Sequence, residues 1–458
     1  MVDRQGRPLL SRTYGGAPGP SFPTVALLST VCGFADGVGM HLRRLAGDDD
    51  NSRVVFRRAP GGLLFVLVAT DGDSSGGGDA EGHLFGLLRR CEDVVTLLSG
   101  RAALDCDARG NGPQKQKALM RAARPALDVI LNEDRVMPCV VFDAAHVLPR
   151  ASVGRSTSSY RSTFAAALMD LATQAGVQHA AAFARGLTVA ATPAWDHLPA
   201  ADRVALQVAL TSFTDAAIMR DVPVYLPGTS PDTAHRLVVG TLVDGVQVAM
   251  LCGPEPGLSR AGQLMATLAA RVGREALEAA AAAAAGGKGE EGEGWGRALP
   301  DEVEAAICVD ATSSRAWTYD ASVDETDGGG EDASSSAATG RALSTLLRFA
   351  METGPLLRGG RTVDEGKTGE PWDGDHRGVA GLRGEHSLPR HSDVVDVQMV
   401  AGRYRLAAAV VDGGAVVKSI DDGNLSEGRV AVYAALDKSV PAFRAAKALR
   451  DVAAAGIA

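Results

Sequence analysis

The feature that most constrains the fold is a run of three apolar stretches in the middle of the chain. They read PVYLP, HRLVVGTLV and VQVAMLCG within residues 223–253, and Pro227-Gly228 and Asp244-Gly245 separate them. Short runs of this kind, rich in β-branched residues and bounded by Pro, Gly and Asp, predict strands joined by tight turns. Such a sheet needs helices on it to bury its apolar face.

The residues around this run extend the pattern. VQHAAAFARG and LTVAATPAW predict a hairpin around Arg185-Gly186, and Pro199 opens a helix before the three strands. A long helix is predicted from Leu258 to about Ala285. The order is two strands, a helix, three strands and a helix.

The first block of the chain has the same kind of order. RPLLSR is followed by a predicted helix from Pro23, and then RVVFRR and GLLFVLVATD predict a hairpin around Ala59-Pro60-Gly61. The apolar positions of residues 84–98 predict a helix that stops at Gly100. A third helix is predicted over Leu119–Leu131, bent at Pro125.

The last block repeats the order with longer interruptions. EAAICVD and RAWTYD predict two strands, residues 343–350 a helix, and VVDVQMV, YRLAAAVVD and AVVKSID three further strands. The chain is then predicted to end in helices from Leu425, broken near Pro441.

This order, with five strands and packed helices in each block, predicts an α+β protein of three longin-like domains with antiparallel five-stranded sheets. Segments poor in large apolar residues predict the linker and the disordered insertions. The predicted organisation is a first domain at 1–134, a second at 135–285, a linker at 286–298, and a third domain at 299–458 with insertions at 321–340 and 358–393.

Composition limits the possible partners. The 46 Lys and Arg residues against 55 Asp and Glu residues give a net charge of -9, which argues against nucleic acid binding. No apolar stretch is long enough to span a membrane, and the N-terminus has no signal-peptide pattern, so a cytoplasmic protein is predicted. Six cysteines lie singly and are interpreted as small buried apolar residues: Cys32, Cys91, Cys106, Cys139, Cys252 and Cys308.

Motifs for chemistry are weak in this sequence. Residues 287–292 fit the letters of a dinucleotide-binding motif, but they follow an alanine run instead of a strand. His376, His386 and His391 form a local group without regular zinc spacing, His235 is interpreted as part of a turn, and Ser259 as a helix N-cap. Neither catalytic residues, cofactor nor metal are predicted. An enzyme using the histidine loop is kept as a distant alternative.

The middle block carries a family resemblance. GLTVAATPAW, DVPVYLPGTSPDTAHRLV and AMLCGPEPGLS, within Gly186–Ser259, resemble the middle region of the Fuzzy family of planar-cell-polarity and ciliogenesis effectors. GRPLLSR and FPTVALLSTVCGFADGVGMHL in the first block are similar to it more weakly. A longin subunit of another trafficking assembly, of the vacuolar-fusion type, is the alternative.

The resemblance implies partners. A Fuzzy-like chain would pair with an Inturned-like longin protein, act with it as an exchange factor for a Rab-family GTPase or as a scaffold, and assemble with a Fritz-like WD-repeat protein. It would work at the basal body and cytoskeleton, with peripheral association with membranes allowed. It would not be an enzyme itself.

The same resemblance points to a contact segment, Phe22 to Leu42. Thr24, Leu28 and Val31 are the expected contact positions, with packing on their own sheet as the alternative for Leu28 and Val31. A longin domain begins with a strand before GRPLLSR, but only MVD precedes Arg4-Gln5-Gly6. Either the chain is truncated at its N-terminus, or the first sheet exposes an edge that a partner could cover.

Overall fold

The computed structural model describes most of the first 285 residues and the strands of the last third. The described residues are 1–3, 5–13, 19–46, 52–70, 81–105, 113–132, 144–146, 158–213, 219–285, 303–310, 315–320, 346, 349–350, 396–401, 404–412, 429–437, 448–449 and 452. They divide into two compact units, one of the described residues up to Ala285 and one of those from Val303 onward. The first unit contains two modules, which we define as residues 1–132 and residues 158–285.

The first module is built on a short antiparallel sheet. Helix α1 (Phe22–Gly37) is followed by strands β1 (Arg44–Ala46), β2 (Ser52–Arg58) and β3 (Leu64–Thr70), paired in that order. The β2–β3 hairpin turns at Ala59-Pro60-Gly61, as the sequence predicts. Val2 adds to the sheet by pairing with Leu64 of β3 and with Pro8.

Three helices complete the first module: α2 (Glu81–Ser99), α3 (Arg101–Leu104) and α4 (Pro113–Asn132). Helix α2 ends before Gly100, whose positive φ of 79° suits a glycine after a helix, as the sequence predicts. Helix α4 contains Pro125 and starts six residues before the predicted Leu119. The three-residue strand β1 was not predicted.

The second module is built on a five-stranded antiparallel sheet. Strand β4 (Ala145–His146) precedes this module in the chain. The module begins with helix α5 (Ser158–Ala175), followed by β5 (His179–Ala184), β6 (Leu187–Ala191), α6 (Pro193–Asp196) and α7 (Ala200–Ser212). Strands β7 (Met219–Leu226), β8 (Ser230–Val243) and β9 (Val246–Cys252) precede α8 (Leu258–Val272) and α9 (Arg274–Ala285). The sheet order is β6-β5-β9-β8-β7. Helix α5 was not predicted.

Both faces of this second sheet are covered by helices. Phe183, Leu237 and Leu251 of the sheet belong to a core that includes α7. Helices α5, α8 and α9 also contact strands of this sheet. Gly240 shows how close α8 lies, because a Cβ atom there would be 2.1 Å from the sulfur of Met265. Strands buried on both faces read as continuous apolar runs, as VQVAMLC does in β9.

One hydrophobic core joins the two modules. It includes Val55 and Phe65 of the first sheet together with residues of α2, α4 and α7 and of the second sheet. Helix α2 contacts β2 and β3 on the one hand and β7 and α7 on the other. Burial on two sides explains why Arg90 and Leu97 are buried in addition to the apolar face that the sequence predicts.

The second unit contains strands β10 (Val303–Asp310), β11 (Arg315–Asp320), β12 (Asp396–Ala401), β13 (Tyr404–Asp412) and β14 (Arg429–Asp437). These strands pair antiparallel in the order β12-β13-β14-β10-β11. This is the order that the second module shows for its own five strands.

The prediction of helices from Leu425 was wrong for Arg429–Asp437, which is strand β14. Its sequence RVAVYAALD contains three helix-favouring alanines, but β14 lies between β10 and β13 and its residues 432–436 are all buried. Burial on both faces overrides local helix propensity. The predicted strand AVVKSID lies outside the described residues, as do the predicted boundary at 134/135, the linker 286–298 and the insertions 321–340 and 358–393.

Candidate partner-binding surface

Helix α1 is fixed at both ends by its own sequence. At the start, the Ser21 hydroxyl accepts a hydrogen bond from the Thr24 backbone N–H at 3.3 Å, and Pro23 occupies the first turn. At the end, Gly39 has a positive φ of 76°, and the Met40 N–H donates to the Ala35 carbonyl at 2.9 Å. The helix therefore begins and ends at defined residues.

One side of α1 packs on the first sheet. We call Val25, Leu28, Cys32 and Ala35 the inner row, since these residues recur at intervals of three and four and lie one above another on the helix. Cys32 is buried with Val2, Phe56 and Leu64, and Val25 and Leu28 pack against that cluster. The inner row accounts for the contact between α1 and its own sheet.

A second row on α1 is offset from the inner row by one residue. We call Thr24, Leu27, Val31, Phe34 and Val38 the outer row, and it has the same three-and-four spacing. Leu27, Phe34 and Val38 are 63%, 72% and 52% exposed, and the neighbouring Phe22 and Met40 are 64% and 62% exposed. A soluble chain rarely leaves so many large apolar side chains together in water unless another surface covers them.

The structure separates the three residues that the sequence singled out. Leu28 belongs to the inner row and packs on its own sheet, whereas Thr24 and Val31 belong to the outer row. Thr24 is exposed, and its hydroxyl lies 2.8 Å from that of Ser21. Sequence reasoning missed Leu27, Phe34 and Val38. The same three-and-four spacing, one residue before each position of the inner row, would have indicated them.

Few charges border this surface. Asp36, in the last turn of α1, forms an ion pair with Arg58 at 2.5 Å, and its carboxylate lies 3.3 Å from Nδ1 of His41. Arg43 is exposed just beyond the C-terminal end of α1. Helix α1 itself contains no Lys or Arg and, as acidic residue, Asp36 alone.

The outer edge of β3 is only partly paired in the described residues. Val2 and Leu64 exchange two backbone hydrogen bonds of 2.8 and 2.9 Å, so the polar groups of Leu64 point away from β2. By the alternation of an antiparallel ladder, those of Val66 and Val68 point the same way. In the described residues, Val2 therefore provides a single residue pair, with Leu64, at the edge where the sequence analysis expects a first strand.

A hydroxyl–imidazole pair occurs in the second module. Ser230 Oγ lies 2.5 Å from His235 Nε2, and the fully buried Asp202 is near them. The Asp202 carboxylate, however, accepts hydrogen bonds from the Gly228 N–H at 2.6 Å and from the Thr229 hydroxyl. Asp202 therefore ties the β7–β8 turn to α7. Burial raises its pKa, and the hydrogen bonds of the turn act against that rise.

Other candidates for chemistry take structural places. Burial raises the thiol pKa of Cys32, Cys91 and Cys252 to about 11, 12 and 11, which keeps these thiols protonated. The prediction that Ser259 caps a helix was wrong, because α8 starts at Leu258 with Gly257 as its N-cap. His376, His386 and His391 lie outside the described residues.

Metal-binding clusters and membrane-spanning helices are both absent from the described ranges. In that part of the chain no group of three or more His, Cys, Asp or Glu side chains could hold a metal ion. Among the helices that the structure describes, none is long and apolar enough to cross a membrane.

Comparison with known proteins finds relatives of the middle of the chain. Residues 175–269 match the family described as the second longin domain of FUZ, MON1 and HPS1. The chain is 28% identical over 266 residues to protein fuzzy homolog of Xenopus tropicalis, covering 57% of each protein. It is 27% identical over 264 residues to protein fuzzy homolog of Homo sapiens, covering 57% of this chain and 58% of the relative. The matches span less than two thirds of the length of these relatives.

The matched segment contains α7, the five strands of the second sheet and most of α8, so the second module contains a longin domain of α+β architecture. The resemblance to the Fuzzy family that Gly186–Ser259 indicates is confirmed, since both the family model and the relatives in Xenopus tropicalis, Homo sapiens and Mus musculus agree on it.

Proposed function

We propose that this chain is a Fuzzy-like effector of ciliogenesis and planar cell polarity that works by binding. In this proposal it pairs with an Inturned-like longin protein, and the pair serves as an exchange factor for a Rab-family GTPase or as a scaffold for cilium assembly and vesicle traffic. The chain contributes no covalent chemistry. The observation that carries the proposal is the exposed outer row of α1.

The energetics favour a protein partner at this place. Burying a large apolar side chain contributes about 1.5–3 kcal/mol, and a few such residues at the centre of an interface supply most of its affinity. Leu27, Phe34 and Val38 are each more than half exposed and follow one another along the helix. Together they can form the centre of an interface.

Exchange activity requires only differential binding. A protein that binds the nucleotide-free GTPase better than the loaded form promotes release without breaking a covalent bond. Thr24, at the N-terminal end of the outer row, is exposed and polar, so it suits the edge of an interface that a GTPase contacts. Val31, half-buried between Leu27 and Phe34 in the same row, suits the centre of the interface with the Inturned-like protein.

Further partners follow from the family resemblance. A Fritz-like WD-repeat protein would join the pair, and the assembly would act at the basal body and cytoskeleton with peripheral contact to membranes. The family model also covers MON1 and HPS1, so a subunit of another vesicle-trafficking or vacuolar-fusion exchange factor is the second candidate.

Reconstitution with the Inturned-like protein of the same organism tests the proposal. Phe34→Asp places a charge in the outer row and should prevent formation of the pair, as measured by size-exclusion chromatography with light scattering. Met169→Asp is the matched control, because Met169 is 43% exposed on α5 of the second module. Equal pairing of both variants would reject the outer row as the binding surface.

The GTPase step has its own variant. Thr24→Arg, in the assembled pair, should slow release of a labelled nucleotide from the cognate Rab-family GTPase while the pair still forms. Unchanged release would remove Thr24 from the proposed GTPase contact. A stable pair with a vacuolar-fusion longin protein, and none with an Inturned-like protein, would favour the second candidate.

A further inference from the structure

We propose that the exposed face of helix α4 binds the surface of an anionic phospholipid membrane. This inference rests on the peripheral membrane contact in the proposed function, and it names the part of the chain that makes this contact. It depends neither on the outer row of α1 nor on the pairing partner.

The cations of α4 lie along one side of the helix. Lys117, Arg121 and Arg124 follow one another at intervals of four and three residues, so they project from the same side. Arg12 of the N-terminal segment joins them, because its guanidinium donates hydrogen bonds of 3.1 and 2.6 Å to the carboxylate of Asp128, one turn further along. We call Arg12, Lys117, Arg121 and Arg124 the basic stripe.

Helix α4 provides a single carboxylate to this stripe. Asp128 is the only Asp or Glu in the sequence of α4, and both Arg12 and Arg124 lie against it, at 2.6 and 3.8 Å. By comparison, the ion pair of Arg236 with Asp221 in the second module balances one charge with one. The stripe is therefore positive although the chain has a net charge of -9.

The opposite side of α4 is fixed in the shared core. Five of its residues are buried there: Met120, Ala123, Ala126, Leu127 and Ile130. An amphipathic helix inserts into a membrane through its apolar face, but the apolar face of α4 is occupied within the chain. Contact of α4 with lipid is therefore limited to attraction between charges at the level of the headgroups.

The exposed side of α4 lacks the anchors of a protein interface. Beside the cations it presents Ala118, Ala122 and Pro125, and none of the exposed large apolar residues of the described chain lies on α4. Protein interfaces obtain most of their affinity from a few residues packed in desolvated pockets, and charge pairs that stay exposed add little. A row of cations without an anchor suits a surface that is negative throughout and needs no precise fit, as an anionic bilayer is.

The strength of this contact depends on the number of cations and on salt. Each Lys or Arg near an anionic bilayer strengthens binding by roughly fivefold, and the attraction falls off within a Debye length of about 8 Å at physiological ionic strength. Binding through the basic stripe should therefore weaken steeply as salt is raised.

Cosedimentation of the full chain with vesicles tests the inference. The parent should sediment with vesicles of phosphatidylcholine and phosphatidylserine, and it should stay in solution with phosphatidylcholine alone. The combined variant Lys117→Glu, Arg121→Glu and Arg124→Glu should bind the phosphatidylserine vesicles about a hundredfold more weakly, because three cations are lost.

A second triple variant is the matched control. Arg260→Glu, Arg271→Glu and Arg274→Glu change the net charge by the same amount on α8 and α9 of the second module. Both variants also break an exposed ion pair, and their melting temperatures should stay close to that of the parent. The control should bind the vesicles much as the parent does. Equal loss in both variants would show that net charge decides and would overturn the inference.

Other results would also overturn it. One is equal binding of the parent and the stripe variant to phosphatidylserine vesicles, and another is no binding of the parent to them. A parent that binds soluble polyglutamate but no vesicles would assign the basic stripe to an acidic protein instead.

The inference and the proposed pairing fail in different ways. Pairing with the Inturned-like protein is measured by light scattering, without vesicles. A stripe variant that pairs normally but no longer sediments with vesicles supports the inference. If the parent forms no pair but sediments with vesicles through the stripe, the pairing is wrong and the inference about α4 stands.

Discussion

The sheet of the second module has helices on both faces, whereas one side of α1 in the first module is exposed among the described residues. In the second module the large apolar side chains exposed among the described residues are Met169 and Leu258, at 43% and 44%, and they lie on different helices. In the first module, by contrast, Phe22, Leu27, Phe34, Val38 and Met40 come from one segment. The difference teaches that the second module buries its large apolar residues within its own core, while in the described residues the first module leaves several of them exposed on α1.

The contact between the modules shows what a covered helix looks like. Helix α2 contacts β2 and β3 of the first sheet as well as β7 and α7, and Val95 and Leu97 are fully buried in the shared core. Helix α1 resembles α2 in being apolar on more than one side. If the proposed pair forms, the outer row of α1 should be buried in it as the second side of α2 is buried within the chain.

The largest expected effect is on the shared core. Leu97→Ala should lower the free energy of unfolding of the first unit by about 2–5 kcal/mol, because it removes a fully buried side chain and leaves a cavity. Hydrogen exchange of the full chain in urea should show β3 and β9 losing protection together. Loss of protection in β3 alone would show that the modules unfold independently, which would contradict a single shared core.

A smaller effect is expected at the turn that Asp202 holds. Asp202→Ala leaves the Gly228 N–H and the Thr229 hydroxyl without this acceptor and should destabilise the chain by about 1–3 kcal/mol. Asp202→Asn is the control, since its amide can bond both groups. Equal loss in the two variants, measured by urea unfolding, would show that the carboxylate charge and not the hydrogen bonds matters.

The next effect concerns Gly100, which follows α2 in the chain and lies close to Tyr225 of the second module. Gly100 has a φ of 79°, and a Cβ atom there would lie 3.1 Å from the ring of Tyr225 in β7. Gly100→Ala should therefore cost roughly 1 kcal/mol or more of unfolding free energy, from backbone strain and from displacement of the ring. Gly262→Ala, where nothing lies within 4 Å, should not destabilise. Thermal unfolding of both variants provides the comparison.

The pH dependence of Asp202→Asn tests the burial of the carboxylate. Burial raises the Asp202 pKa in the folded protein above its unfolded value of about 3.9, so the folded state binds this proton more tightly. The favourable contribution of the group is complete below the unfolded pKa and is lost as pH rises through the raised folded pKa. From pH 4 to pH 7 the Asn variant should therefore gain stability relative to the parent. A constant difference across that range would contradict the raised pKa.

The smallest expected effect on stability is on α1. Phe34→Ser replaces a side chain that is 72% exposed, so the free energy of unfolding of the isolated chain should change by less than about 0.5 kcal/mol. The same variant should lose binding to the Inturned-like protein. A large loss of stability would show that Phe34 packs within the chain, and the contrast between the modules would then fail.

Part of the fold could be predicted from local sequence. Pro-Gly and Asp-Gly turns, the φ of 83° at Gly186 and the stop of α2 at Gly100 are local signals, and the hairpins and helix end occur where these residues stand. The strand β14 could not be predicted this way, because RVAVYAALD forms a strand by pairing with β10 and β13, which are not its neighbours in this local stretch of sequence. Helix α5 was overlooked although it provides part of the cover of the second sheet.

The candidate site was predicted in place but not in detail. The segment Phe22 to Leu42 could be indicated from the family resemblance, and the helix from Pro23 from its periodicity. The apolar residues of this helix that face water could not be predicted. Helix α1 is apolar on adjacent sides, and periodicity alone does not say which side meets the sheet. Only the contact of Leu28 and Cys32 with Phe56 and Leu64 assigns the inner row, and this leaves Leu27 and Phe34 outside.

The sequence by itself determined the α+β class, the turns, most strands of the sheets and the membership of the middle region in the longin type, because these depend on residues close together in the chain. The tertiary structure alone decided that α2 is buried between the first sheet on one side and β7 and α7 on the other. It also decided that Asp202 bonds to a distant turn and that the outer row of α1 is exposed. The burial of a residue depends on what packs against it. On one side of α1 the neighbours are residues far along the chain. On the other side the described part of the chain provides none.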